Sequence, residues 1–432
     1  MEITARSRRG AARAGRVITP HGAFPTPAFM PVGTRGSVKG ITPELLARCG
    51  AGVCLANTYH LLLRPGAQTI AELGGVHTVM GWPRPVLTDS GGYQAYSMAD
   101  INRVTDDGVW FRSIVDGSEV TLGPESATRA QNLIGADIIM AFDDCPPPLT
   151  GPVGGDAGAG DGAAADPRLA RAVRRDAGAR GRMDPAERLA VANRRTVAWL
   201  ERCIAAHDRA DQQGLFGIVQ GGTDPEARTW CAARVCGYDL PGYAIGGVAV
   251  GESPEDIARV VRHTAGLLPA DRPRYLMGVG YERDILAAVL AGVDMFDCVL
   301  PTRNGRNATA FTPAGRLRLR NAEHARDTRP IQEGCRCPAC RGWAGADGER
   351  FGPFSRGALR HLFMSGEMLG PIMVTAHNLA HFQALMADVR QTVASDDWEG
   401  LAARWPVAAP GLDGAGLGPR CDGGAGGQAR RA

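Results

Sequence analysis

The 432-residue chain is 44% hydrophobic and 22% charged, which supplies a sizeable core and excludes a globally disordered or collagen-like chain. One α/β barrel or two ordinary domains would fit that length. The net charge of only +3 identifies no partner. The N-terminus carries Arg6, Arg8, Arg9, Arg13 and Arg16 without the apolar segment of a secretory signal, and no later apolar run approaches a membrane span. A cytoplasmic protein with no membrane association is therefore expected.

From about residue 27 to 300 the chain repeats one grammar: a short apolar strand, a polar or Gly-rich turn, then a helix with a strong start signal. The strands are predicted at "PAFMPVG", "GVCLAN", "PVLTDS", "DIIMAFDD", "LFGIVQ", "YAIGGV", "YLMGVG" and "VDMFD". Helix starts at Thr42, Asp184, Asp224 and Ser253 each put a capping side chain before Pro and an acid in the first turn. Eight alternating units predict a (β/α)8 TIM barrel, with an open doubly wound sheet as the alternative. Asn57, Asp89, Asp143, Gln220 and Asp297 each end a strand, and in a barrel those ends converge on one face. Leu149 to Met183 is Gly/Ala-rich and reads as a flexible insertion within a catalytic barrel spanning 1–334. A small zinc-binding subdomain with C-terminal helices is expected over 335–395, including a loop insertion at Trp343 to Pro353, and a disordered tail over 396–432.

Eleven cysteines are too scattered for a disulfide framework. Cys335, Cys337 and Cys340 form C-x-C-x2-C, a spacing that wraps one tetrahedral Zn²⁺ if His361, His377 or His381 completes it. Four protein ligands make a closed, structural site, one Zn²⁺ per chain. Asp89 and Asp297 are a candidate pair for double displacement at a sugar carbon, one attacking and the other handling the proton. With Asp143 and Asp144 they could instead form a metal-binding acid cluster. A flat heterocycle would find an acceptor in Asp143, a donor in Gln220, and cover from Tyr93 and Met277. The Gly246-Gly247 turn allows close backbone approach at Gly247 and Val248, for a base or for a phosphate. Between Pro301 and Pro330 seven Arg face two acids, a segment that could track a phosphate backbone or simply form a solvated face.

From about Arg13 to Arg390 the motifs "TPAFMPVGT", "NTYHLLLRPG", "LTDSGGYQ", "FRSIVDGS", "MAFDDC", "GIVQGG", "YAIGGVAVGE", "YLMGVG", "DMFDCVLPTRNGR", C-x-C-x2-C and "TAHN" stand in the order found in the queuine tRNA-ribosyltransferases, also called tRNA-guanine transglycosylases, and the chain resembles that family. The resemblance implies a homodimeric (β/α)8 enzyme that exchanges the wobble guanine of GUN-anticodon tRNAs (Asp, Asn, His and Tyr type) for a 7-deazaguanine through a covalent RNA intermediate. It implies Asp297 as nucleophile and Asp89 as general acid/base. Asp143, Gln220, Gly247 and Val248 would recognise the base between Tyr93 and Met277, with Glu252 beneath the Gly-Gly turn. Ser90 and Asn57 would lie near the ribose, Arg303 and Arg306 would contact the anticodon loop, and His377 would join the three Cys on zinc. Val250 with Cys145 resembles the bacterial pattern, which implies the precursor base preQ1 and not queuine. Departures at Val248, Asp144, Ala376 and Ala358 affect local packing. Two other readings share these features: a non-catalytic RNA-binding partner subunit, against which both carboxylates argue, and a hydrolase of free glycosides.

Overall fold

The first apolar stretch forms two short strands, Ala28–Met30 and Val32–Gly33, separated by Pro31. Proline has no N–H to give a ladder, but the Pro31 carbonyl still accepts from Leu55 N at 2.9 Å. The break lets one segment pair in two directions. Ala28–Met30 pairs with the last strand, Met295–Asp297, and Val32–Gly33 with the second, Cys54–Ala56, all in parallel. Between them run Val86–Thr88, Ile138–Met140, Gly214–Val219, Gly242–Ile245 and Arg274–Leu276, each hydrogen-bonded to its sequence neighbour. The sheet therefore closes on itself as eight parallel strands, and the open doubly wound alternative is excluded.

The computed structural model describes residues 1–98, 102–146, 184–248, 252–345 and 347–413. The insertion expected at 149–183, Val250, and the tail beyond 413 lie outside them. Helices Pro43–Arg48, Pro185–Ala206, Pro225–Val235 and Pro254–Leu267 begin where the caps predicted, with Thr42, Asp184, Asp224 and Ser253 each accepting a first-turn N–H. Among the described residues no helix is long and apolar enough to cross a membrane.

The barrel interior is apolar, filled by Met30, Leu55, Phe216, Ile218 and Met295 among others. Its N-terminal end is plugged by Val17 and Phe24 of an antiparallel sheet, Glu2–Arg6, Arg13–Thr19 and Gly22–Thr26. Below the barrel, Asp137 takes His21 Nδ1 and His77 Nε2, both at 2.9 Å, and the backbone N–H groups of His21 and Val86. The three side chains lie close enough to hold a metal, but these four bonds fill both carboxylate oxygens. The imidazoles also stack nearly parallel, 3.5 Å apart, so they line up along the carboxylate instead of converging on one point. We read the group as a bracket tying the N-terminal sheet to the barrel.

After the eighth strand the chain forms helix Leu300–Arg306, hairpin Thr309–Thr312/Gly315–Arg318, the cysteine loop, helix Arg356–Met364, and the 27-residue helix Leu369–Ser395. That long helix serves both parts of the molecule. Met373 and Val374 pack among the cysteines, while Phe382, Leu385 and Val389 pack on the barrel. The loop insertion expected at Trp343 to Pro353 is instead a short hairpin, Trp343–Ala344 with Arg350–Phe351, whose two rings stack at 5.8 Å. The disordered tail is also corrected over 396–413, which forms helices Trp398–Arg404 and Pro410–Asp413. Trp398, Leu401, Trp405 and Leu412 are buried there. Burial of these four side chains, at about 2 kcal/mol each, contributes to ordering a segment that the sequence left without periodicity.

Candidate active site and metal centre

Leu55, Leu87, Ile218, Ala244, Tyr275 and Met295 point into the barrel. Side chains alternate along a strand, so two residues further on Asn57, Asp89, Gln220, Gly246, Met277 and Asp297 face the C-terminal mouth. The fourth strand breaks this phase. Phe142 leaves the interior to pack on Trp199 with ring centroids 4.9 Å apart, and Asp143, one residue later, takes the mouth position beside Gln220.

Asp89 is buried and held from three sides. Its Oδ1 accepts from Thr58 N at 2.8 Å, and its Oδ2 accepts from Asn57 Nδ2 and from Gln94 Nε2, the latter at 3.0 Å. Burial pushes its carboxyl up to about 6 against those donors, and the nearby Asp297 charge adds to the rise. Asp297 accepts from Tyr275 Oη at 2.6 Å and Gly278 N at 2.8 Å, both on Oδ1. Among the described residues no bond occupies its Oδ2. Burial raises this carboxyl too, while the tyrosine and the backbone donor pull it down. The pair thus offers one carboxyl enclosed by donors and raised toward neutral pH, where it can give and take a proton, and another with an open oxygen at the mouth.

On the other side of the mouth Asp143 accepts from Gln220 Nε2 at 2.6 Å and from Ser90 Oγ at 3.4 Å. Ser90 therefore sits with Asp143, and Asn57 with Asp89. Gln220 lies flat against the Gly246-Gly247 turn, where a Cβ on either glycine would collide with its amide; Gly247 has φ +63°. Beneath the turn Arg228, fully buried on helix Pro225–Val235, donates to the carbonyls of Gly246 at 2.9 Å, Gly247 at 3.2 Å and Gly222 at 2.7 Å. Burial brings its guanidinium down to about 10. With the Val219 carbonyl at 3.3 Å, four carbonyls aimed at one cation fix the turn so that its other face is open to a ligand. The Val248 side chain is buried in the outer core, which leaves its backbone for the mouth. Tyr93 and Met277 are half-buried, and Glu252 lies in the electrostatic field of Arg228 and Cys145.

Asp144 is turned away, ion-paired to Arg188 and Arg195. The acidic-cluster alternative therefore fails, because the four carboxylates do not converge. Arg303 is exposed and Arg306 half-buried on helix Leu300–Arg306, which starts three residues after Asp297. That helix rides on Leu369–Ser395 where Gly305 meets Thr375, a contact with no room for a Cβ.

Burial makes Asp143 a liability to the fold. Its carboxyl is pushed up to about 6 from 3.8, by burial first and then by the Asp144 charge, against Gln220 and Ser90. A folded value above the unfolded one means that the ionised form destabilises the fold above about pH 6, and the penalty fades as pH falls toward 3.8. Asp143→Asn, which still offers Gln220 an oxygen, should therefore melt higher than wild type by about 2–3 kcal/mol of stability near neutral pH. That gain should shrink on acidification. Thermal melts across pH check this; an equal or lower melting temperature at neutral pH contradicts it.

The metal centre is as compact as the spacing predicted. His377 Nδ1 lies 3.7 Å from Cys335 Sγ and 3.4 Å from Cys337 and Cys340 Sγ. A tetrahedral zinc with bonds of about 2.3 Å to sulfur and 2.0 Å to nitrogen gives such edges near 3.5 Å, so these residues fit the ion. His377 Nε2 donates to the Phe311 carbonyl at 2.7 Å, which leaves Nδ1 for the metal. His361 instead faces Ser365, and His381 pairs with Glu282 at 2.8 Å, which resolves the three-way choice.

Several supporting residues escaped the sequence reading. Tyr275, Gln94, Arg228, Arg188 and Arg195 all orient site groups. Tyr275 and Gln94 carried a signal, the first standing two residues before Met277 on the inward phase of its strand and the second closing the motif "LTDSGGYQ".

Residues 8–153 and 180–409 match a family model described as queuine tRNA-ribosyltransferase, and the unmatched gap falls within the Gly/Ala-rich stretch. The chain is 46% identical over 387 residues to the queuine tRNA-ribosyltransferase of Thermus thermophilus, covering 90% of this chain and 89% of that one. It is 44% identical over 407 residues to that of Aromatoleum aromaticum, with 94% and 98% covered. The Bacillus subtilis protein of the same name is 44% identical over 385 residues, with 89% of each covered.

Proposed function

Since the chain belongs to the queuine tRNA-ribosyltransferase family, we propose that it exchanges the wobble guanine of GUN-anticodon tRNAs for preQ1 by double displacement. The observation that carries this is the open Oδ2 of Asp297 across the mouth from donor-bound Asp89. Asp297 Oδ2 attacks C1′ of the ribose as the C1′–N9 bond breaks, and the departing guanine takes its proton from Asp89. The incoming base returns a proton to Asp89 and attacks C1′ through its own ring nitrogen, and the C1′–O bond breaks to regenerate the Asp297 carboxylate. Asp143 accepts base N–H groups, and Gln220 with the Gly247 and Val248 backbone completes recognition between Tyr93 and Met277. Glu252 holds the turn, Asn57 lines the ribose side, and Ser90, bonded to Asp143, lies between ribose and base. Arg303 and Arg306 bind the anticodon loop. Cys335, Cys337, Cys340 and His377 hold a structural Zn²⁺, and the protein acts as a cytoplasmic homodimer.

Preference for preQ1 rests on the bacterial pattern of Val250 with Cys145, in which the bulk of Val250 would exclude queuine's larger substituent. The test charges tRNA-Tyr with labelled guanine and offers each base in turn. preQ1 should displace the label and queuine at equal concentration should leave it; equal displacement by queuine would refute the preference.

A further inference from the structure

The neighbour of Asp143 in the chain, Asp144, is a carboxylate locked in place. Asp144 is held by Arg188 through two bonds of 3.0 and 2.7 Å and by Arg195 Nη1 at 2.6 Å, while its backbone N–H donates to Thr196 Oγ1 at 3.1 Å. Its side chain is 3% exposed and the two arginine side chains 12%. The arginines stand seven residues apart on one face of helix Pro185–Ala206. Arg195 also reaches Asp106, which is 92% exposed and therefore largely screened by water. Two half-buried arginines thus both ion-pair with the one buried carboxylate of Asp144 beside the pocket.

We propose that Arg188 and Arg195, acting through Asp144, set the ionisation of Asp143 and so the pH range over which the pocket accepts the N–H groups of a guanine-type base. They are positioning residues, and the proposal rests on the reading of Asp143 as base acceptor. Asp143 also faces Ser90 and Gln220 as donors, the buried thiols of Cys145, Cys203 and Cys231, and, through Cys145, Glu252 and Arg228. Burial pushes these thiols up and leaves the Arg228 guanidinium at about 10, so neither changes charge between pH 5 and 8, while Asp89, next to Ser90 and raised to about 6, titrates in that window alike in every variant. The Asp144 charge opposes ionisation of Asp143, and the arginines offset it.

The test follows Asp143 by carbon NMR of full-length protein labelled at the Asp carboxyl carbons, with D143N assigning the signal, alongside guanine KM as a function of pH. R188Q and R195Q should raise the Asp143 midpoint by about one unit, and D144N should lower it by a similar amount. The double variant D144N/R188Q should return toward wild type. Guanine KM near pH 6 should rise about 5-fold in the arginine variants, with kcat at saturating base little changed. Shifts of one sign in all variants, as a purely structural role would give, overturn the proposal, as does no shift. Opposite shifts in a wild-type background that exchanges no guanine would sink the functional reading and leave the charge coupling standing.

Discussion

Asp297→Asn is expected to lower guanine exchange by at least ~10³-fold with tRNA affinity and melting temperature little changed. An Asn can place its amide oxygen where Oδ1 now accepts from Tyr275 Oη and Gly278 N, so the anchoring survives. The open position, Oδ2, would then hold an amide nitrogen, which cannot attack C1′. Labelled-guanine exchange read as kcat/KM separates the cases. Exchange at the wild-type rate would remove Asp297 from the mechanism.

Loss of the metal should be the largest stability effect. Cys337→Ala or exhaustive chelation removes one ligand or the ion from a cluster buried among Ala310, Leu319, Leu359 and Val374. We expect a loss on the order of 5 kcal/mol, since binding energy at such sites is folding energy. The damage should spread toward the RNA side. Asn378, next to His377, donates to the carbonyls of Pro301 at 3.0 Å and Thr309 at 2.9 Å and accepts from Phe311 N at 2.9 Å. That residue therefore locks helix Leu300–Arg306, with Arg303 and Arg306, to the metal-bearing helix. Metal analysis should give about one zinc per chain in wild type and none in the variant, whose tRNA affinity should fall with its melting temperature. Full metal content in Cys337→Ala, or an unchanged melt, would contradict this.

The barrel was legible because each strand is a short apolar run ended by a polar residue, and the helix starts carry capping chemistry that the fold uses unchanged. Position on the mouth followed from strand ends alone for Asn57, Asp89, Gln220 and Asp297. Asp143 was found by the same rule, although the phase slip at Phe142 that brings it inward depends on the contact with Trp199, far along the chain. Arg228 and Arg188 were illegible for a related reason. An arginine on an amphipathic helix reads as solvated, and only the fold shows carbonyls or a carboxylate converging on it. The segment 396–413 was misread because its few apolar residues lie among Gly, Ala and charge, with no periodicity to reveal that two tryptophans are buried. Choosing His377 from the residues alone was impossible, since all three histidines lie on helices and only packing separates them.

The most direct measurement is a denaturing gel of wild-type protein incubated with unmodified tRNA-Tyr without added base and with released guanine scavenged enzymatically, so that the second displacement lacks its nucleophile. The account predicts an RNA-linked protein band that disappears on adding preQ1 and never forms with Asp297→Asn. A wild-type protein that turns over tRNA with no such band, or an Asp297→Asn variant that forms it, would contradict the account.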